Sequence, residues 1–173
     1  MISNTYLRSM ARYNRWQNQC AYKSAASLSD EARGQDRGAF FKSIHGTLSH
    51  IYWADRIWLS RFDLCPAPDV PNQDSWRFIK NFEELAEKRT ELDELLIKFC
   101  DNYESGPIRG ELKWYSGAKG SDAEAPLSVI FTHFFNHQTH HRGQVHAMLT
   151  AAGAVTEDTD LFLMPAELWP SKQ

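Results

Sequence analysis

Residues 133–149 read HFFNHQTHHRGQVHAML and hold five of the seven histidines in the chain. At ~100° per residue, a helix over this stretch has two unlike faces. One face carries polar side chains, namely His133, His137, His140, His141 and Gln144. Phenylalanines lie beside this face, and His146 points elsewhere. The stretch therefore predicts a helix that packs its phenylalanines inward and places the histidine face beside a cavity between helices.

Three other segments have apolar residues at spacings of three and four, which is typical of amphipathic helices. The four predicted helices span about residues 4–28, 39–62, 82–103 and 126–152. Asn81 and Glu84 have the spacing of a capping box at the start of the third helix. Four amphipathic helices with little strand predict an all-α fold, a four-helix bundle of up-down-up-down topology.

Residues 104–125 lack helical periodicity. Alternation around Trp114, followed by glycines, predicts a long loop with room for a short hairpin. The apolar side chains of the tail, including Phe162 and Trp169, are expected to dock on the helices. Because 42% of the 173 residues are hydrophobic and 13% are aromatic, we expect a single domain over residues 1–173 with one buried core.

The overall composition excludes several classes of protein. A net charge of −3 provides no basic stripe, which argues against nucleic acid as a partner. The three cysteines, Cys20, Cys65 and Cys100, are widely spaced and form no CxxC motif, so we expect reduced thiols in a cytoplasmic protein. No stretch approaches the ~18 apolar residues of a membrane span, and the first residues lack an apolar signal core.

The histidine spacing predicts a metal site. Positions four apart lie ~40° apart around a helix, so their side chains can reach one ion. His133 and His137 have this spacing, and so do His137 and His141. On the second helix, His45 and His50 lie ~140° apart and cannot both face one point. His50 lies on a face of small and apolar residues, which favours an ion held by His50, His137 and His141.

Three imidazoles would leave the ion an open coordination position, which is the pattern of catalytic rather than structural sites. Side chains near the proposed ligands could orient them or line the cavity: Asp55, His133, Asn136, His140, Arg142 and Gln144. Arg142 could alternatively meet a carboxylate of a thiol co-substrate or of the substrate, or form a salt bridge. The chain has no HExxH, GxSxG, P-loop or GxGxxG motif, so those enzyme classes have no local support.

Residues 43–59, SIHGTLSHIYWADRIWL, paired with residues 133–149, resemble the DinB family within the DinB/YfiT-like superfamily. The segment ARYNRWQN at residues 11–18 is similar to the usual opening of that family. The resemblance implies a homodimeric four-helix bundle with a divalent metal ion, zinc or nickel being our expectation. By position it implies His50, His137 and His141 as ligands. It does not imply His140, whose position is often aromatic in relatives.

Some members of the superfamily use a low-molecular-weight thiol, and this implies our first hypothesis, a metal-dependent thiol transferase. The nucleophile would be a thiol or water activated by the ion, with Trp114 and Tyr115 near the entrance. Hydrolysis at the same metal site is the first alternative. The second alternative is a non-enzymatic metal-binding stress-response protein, in which the ion ties the second helix to the fourth.

Overall fold

The computed structural model describes residues 2–117 and 119–170. Within these residues there are five α-helices and one two-stranded sheet. In chain order, the elements are α1 (Asn4–Ala26), α2 (Asp30–Gly34), α3 (Ile44–Ser60), α4 (Phe82–Asn102), β1 (Glu111–Ser116), β2 (Ser121–Pro126) and α5 (Leu127–Ala151). Short 3₁₀ segments cover Asn72–Arg77, Leu161–Leu163 and Ala166–Leu168. The four long helices, α1, α3, α4 and α5, correspond to the four helices predicted from the sequence.

Side-chain caps define where the helices begin. The Asn81 side chain accepts a hydrogen bond from the backbone N–H of Glu84 at 2.7 Å, so the predicted cap of α4 is confirmed. The Ser43 hydroxyl likewise accepts from Gly46 at 3.0 Å, and Ser3 caps α1. Each cap satisfies an N–H group that has no partner within its own helix.

The start of α3 differs from the prediction. Apolar periodicity placed it near Ala39, but the helix begins at Ile44. Lys42 has a φ of +68°, a left-handed conformation that cannot be part of a right-handed helix. Residues before it form a turn closed by an isolated bridge between Ala39 and Lys42. As a result, Phe41 folds back over the first turns of α3 instead of belonging to the helix.

Contacts at both ends establish that α1 and α4 are antiparallel. At the start of α1, the Asn4 amide donates to the carbonyls of Cys100 and Tyr103 at the end of α4, at 3.2 and 2.7 Å. Near the other end of α1, Tyr22 stacks on Phe82, the first residue of α4, with ring centroids 5.8 Å apart.

The other long helices give an up-down-down-up order, so the predicted up-down-up-down order is wrong. Helices α3 and α4 run parallel, because His45 lies near Phe82 at their starts and Phe62 lies 5.5 Å from Phe99 near their ends. Helix α5 is antiparallel to α3, since Phe62 also stacks on Phe131 early in α5. The physical reason is that the connection over residues 61–81 is long enough to run back along the whole of α3, which is ~26 Å long. Helix α4 can therefore begin beside the start of α3 and run parallel to it.

The strands form an antiparallel hairpin within the predicted 104–125 loop, so the expectation of an all-α fold is wrong in this segment. Trp114 of β1 pairs with Ala123 of β2. Side chains alternate along β1 between half-buried and exposed, and Trp114 is on the half-buried side. Its ring lies 5.6 Å from that of Trp58 on α3, so the hairpin covers the end of that helix.

The core lies between the four long helices. Its fully buried members include Leu7, Leu48, Leu85 and Phe135, one from each helix.

The tail packs less closely than predicted, because Phe162 is 73% exposed and only Met164 among its large apolar residues is buried. Among the helices of the described residues, none has both the length and the apolar character of a membrane span.

Candidate metal centre

Three histidines from two antiparallel helices meet beside the core. His50 comes from the middle of α3, while His137 and His141 lie one turn apart on α5. The Nε2 atoms of His50 and His137 are 3.4 Å apart. One nitrogen from each ring lies within 4.8 Å of the other two, and no other group of three potential ligands occurs in residues 2–117 and 119–170.

This arrangement fits a divalent metal ion. Two nitrogens that each lie ~2.1 Å from a tetrahedral ion are ~3.4 Å apart, which matches the separation between His50 and His137. The third nitrogen, from His141, lies within 4.8 Å of the other two. Neutral imidazole is a common ligand of zinc, nickel, copper and iron, so the donor set suits these ions.

A buried serine and an aromatic ring hold His50. Its Nδ1 atom lies 2.8 Å from the hydroxyl of Ser75, which is fully buried in the Asn72–Arg77 segment. When Nδ1 donates to this hydroxyl, Nε2 keeps its lone pair for an ion. Phe41 stacks on the His50 ring with centroids 3.6 Å apart. Ser75 was not predicted from the sequence, because side-chain direction in an irregular loop cannot be deduced from periodicity.

Gln144 fixes His141. The Nδ1 atom of His141 lies 2.8 Å from Oε1 of Gln144, an oxygen that can only accept. Nδ1 therefore carries the proton, and the lone pair is on Nε2. The Gln144 amide N–H in turn faces Nε2 of His140 at 3.3 Å. Gln144 thus lies where the sequence placed it, beside the site, and His140 borders the site from the solvent side.

The environment keeps the imidazoles neutral. Burial, followed by the neighbouring histidines, lowers the pKa of His50 to about 3. The same two causes lower the pKa of His137 to about 3. The pKa of His141 is also lowered, chiefly by burial, although its bond to Gln144 and the charge of Asp55 act in the opposite direction. Neutral rings are the form that binds metal, so the site needs no deprotonation at neutral pH.

The site opens on one side into a cavity of about 400 Å³. Phe40, Asn72 and His140 line this cavity together with the three clustered histidines. The sequence did not single out Phe40 or Asn72. Both lie in segments outside the long helices, where side-chain direction cannot be read from periodicity.

Two residues that the sequence placed near the ligands belong to a different cluster. Asp55 forms a buried ion pair with Arg89 at 2.6 Å. The Arg142 guanidinium donates to the side-chain oxygens of Asn14 and Asn18 on α1. Within the described residues, neither Asp55 nor Arg142 forms a hydrogen bond with the histidine cluster, and Asp55 acts on it through its charge, which raises the pKa of His141.

The remaining candidates lie at the margin of the site. His133 is exposed, and its ring centroid is 5.7 Å from that of His137 and 5.2 Å from that of Trp58. Asn136 is exposed on the same helix. His45 and His146 contact other groups. His45 donates to the carbonyl of Ile79 at 2.7 Å, and Nε2 of His146 lies 3.5 Å from the Thr156 hydroxyl.

Comparison with known proteins identifies the family. A family model described as the DinB family matches residues 1–169. The chain is 30% identical over 155 residues to Protein DinB of Bacillus subtilis (strain 168), an alignment that covers 86% of this chain and 87% of that protein. A crystal structure of a DinB-like protein from Bacillus cereus ATCC 10987 has the same fold, with a TM-score of 0.61 at 17% identity over 82% of this chain and 89% of that one. The chain therefore belongs to the DinB family.

Proposed function

We propose that this protein binds one divalent metal ion, zinc or nickel, through His50, His137 and His141, and that it transfers a low-molecular-weight thiol to an electrophilic substrate. The observation that carries the proposal is the cluster of three neutral imidazoles beside an open cavity. Since the cluster contains no fourth protein ligand among the described residues, an exogenous molecule has room to reach the ion.

The chain itself supplies orientation and shielding. Ser75 and Gln144 direct the lone pairs of His50 and His141 toward one point. Phe41 covers one side of the His50 ring and keeps water from it. A bound divalent ion supplies Lewis acidity, which lowers the pKa of a thiol or water that reaches it. A free thiol, with a pKa of ~8.5, is mostly protonated at neutral pH, so this effect raises the fraction of the reactive thiolate.

We also propose that the four long helices form a four-helix bundle and that two copies form a homodimer. Each long helix packs on two others: α1 and α3 both contact α4 and α5. Exposed apolar side chains such as Phe162 and Val155 provide surface for a second copy. Light scattering over a range of concentrations measures the mass directly, and a monomer at all concentrations would contradict the dimer.

Metal binding is tested on protein purified without a nickel column. Elemental analysis should find about one zinc or nickel ion per chain, and the His137→Ala variant should lose most of it. The matched control is His146→Ala on the same helix, which should keep the ion. Chelation should lower the melting temperature of the wild type, because an ion that binds only the folded state stabilises it. Full metal content in His137→Ala would contradict the assigned ligands.

Thiol transfer is tested with several cellular thiols and a chromogenic electrophile. We expect turnover by the wild type and a loss of at least about a hundredfold in His137→Ala, since removing a metal ligand removes the activating ion. Turnover without any added thiol would favour the metal-dependent hydrolase instead. Metal binding and thermal stabilisation without turnover of any substrate would favour the non-enzymatic alternative.

A further inference from the structure

Arg61 lies against two tryptophans at the end of α3, whose rings also contact each other with centroids 5.6 Å apart. Its guanidinium is 4.1 Å from the ring centroid of Trp58 and 5.3 Å from that of Trp114. Trp58 comes from the last turn of α3 and Trp114 from the half-buried side of β1. Contact with both indoles restricts the guanidinium while leaving N–H groups at its edge able to donate.

No carboxylate within residues 2–117 and 119–170 pairs with the Arg61 guanidinium. Among the residues that the structure describes, Arg61 takes part in no ion pair, whereas Arg8, Arg12, Arg15, Arg33, Arg77 and Arg89 each have an acidic partner. Burial lowers the pKa of Arg61, and no nearby acid offsets that effect. Arg37, Arg56 and Arg142 also lack an ion pair, but each donates to an oxygen of the protein, and Arg109 is exposed. Arg61 is half-buried, and its side chain has neither kind of partner among the described residues, which suits an anionic ligand.

The cation adjoins the histidine cluster. Trp58 contacts His133 with ring centroids 5.2 Å apart, and His133 contacts His137 at 5.7 Å. Burial, and after it the positive charge of Arg61, lower the pKa of His133. Trp58 and His133 thus form a continuous line of aromatic contacts from Arg61 to His137.

We propose that Arg61 is a specificity-determining residue that binds a carboxylate of the thiol co-substrate, with Trp58 and Trp114 holding its guanidinium in place. The proposal rests on the proposed function, because the sulfur of the same molecule would reach the metal ion. A carboxylate accepts two parallel hydrogen bonds from a guanidinium edge. This assigns to Arg61 the carboxylate-binding role that the sequence suggested for Arg142, whose guanidinium is buried against Asn14 and Asn18.

The test measures binding rather than activity. Cobalt(II) is loaded in place of the native ion, because sulfur coordinated to cobalt gives a charge-transfer absorption band. Mercaptocarboxylic acids of increasing chain length are titrated against mercaptoalcohols of equal length. In the wild type, the best-fitting acid should bind about tenfold more tightly than its alcohol, as expected for a charge-assisted hydrogen bond. Arg61→Gln should bind both with the affinity of the alcohol.

The controls separate this inference from the proposed function. Arg56→Gln removes an equal charge from the same helix and should keep the preference for the acid. Arg61→Lys should retain part of the preference for the acid. Its melting temperature, compared with that of the wild type, shows whether the contact of Arg61 with the two tryptophans contributes to folding stability. Two outcomes would overturn the role of Arg61 and leave the thiol-transfer proposal standing. In one, the wild type binds thiols without any preference for a carboxylate; in the other, the preference survives in Arg61→Gln. If no thiol produces the absorption band, the thiol-transfer proposal fails as well.

Discussion

Two imidazoles of the cluster are oriented by a hydrogen bond to another side chain. In both, that side chain is neutral rather than a carboxylate. Histidines that bind metals often donate to an acidic side chain, which offsets part of the charge of the ion. Here Ser75 faces His50 and Gln144 faces His141. A divalent ion held this way keeps its full positive charge, because neither the ligands nor their partners carry a negative one. Such a centre favours anionic ligands. This agrees with the nearby guanidinium of Arg61, which has no ion pair in the part of the chain that the structure describes.

Ser75→Ala isolates the contribution of one such partner. The substitution leaves Nδ1 of His50 without its partner and frees the ring to rotate, so metal affinity should fall about tenfold. Competition with a chromogenic chelator measures this affinity. Ser60→Ala is the control, because the Ser60 hydroxyl bonds only to the Ile57 carbonyl in its own helix. Equal metal affinity in Ser75→Ala and the wild type would show that packing alone orients His50.

The lowered pKa values predict how the metal-free protein responds to acid. His50 and His137 titrate near pH 3 in the folded state, but near 6.5 when unfolded. As the pH falls below about 6.5, the unfolded chain takes up protons first, so stability is lost toward pH 3. The loss is at most about 1.4 kcal/mol per pH unit for each ring. Urea denaturation across this range should show a weaker pH dependence for His50→Gln; an unchanged slope would contradict the assignment.

At the scale of elements, the turn before α3 positions the cluster. Ser43 caps the helix while Phe41 reaches back to stack on His50, and this requires the chain to pass close to Gly46. A methyl group on Gly46 would overlap the carbonyl oxygen of Phe41. Glycine is therefore needed here for close approach of the backbone rather than for an unusual φ.

Two glycine substitutions should have opposite effects. Gly46→Ala should destabilise the protein by about 1–3 kcal/mol and weaken metal binding, because the turn that carries Phe41 must move. Gly143→Ala on α5 meets open space and should stabilise by about 0.5–1 kcal/mol through better helix propensity. Thermal unfolding with and without metal measures both. Stabilisation by Gly46→Ala would contradict the close approach.

Sequence periodicity predicted the elements better than their connections. It placed α4 correctly, and it favoured His50 over His45, because side-chain direction on a helix follows from the residue number. It could not predict that Ser75 faces His50, since a 3₁₀ segment in a long loop has no periodic face. Arg61 was missed for a related reason: its environment depends on Trp114, which arrives from a hairpin more than fifty residues away. The order of the helices likewise depends on how the long connections cross.

At the scale of the whole molecule, a buried polar network joins the four long helices. Arg89 on α4 pairs with Asp55 on α3 at 2.6 Å and with Asp93 at 2.9 Å. The Asp93 carboxylate accepts from Asn18 on α1 at 2.9 Å, and Asn18 also contacts Arg142 of α5. The charged members balance in number, two of each sign. Because ion pairs demand particular geometry, we expect the network to limit how the helices can slide past one another and thereby to help His50 face α5.

Arg89→Met tests this network. It leaves the carboxylates of Asp55 and Asp93 buried without their cation, which should cost about 3–5 kcal/mol in the free energy of unfolding. Arg15→Met breaks the partly exposed pair with Glu94 and should cost less than about 1 kcal/mol. Urea denaturation of both variants gives the comparison, and similar losses would mean that the buried pairs contribute no more than surface ones.

A triple variant separates the cost of an unpaired charge from the value of the network. Combining Arg89→Met with Asp55→Asn and Asp93→Asn removes the charges together, so stability should recover by several kcal/mol relative to Arg89→Met alone. If the network also sets the register of the helices, metal affinity should remain reduced in the triple variant although its stability has recovered. Recovery of both stability and metal affinity would show that the charges compensate one another without positioning the histidines.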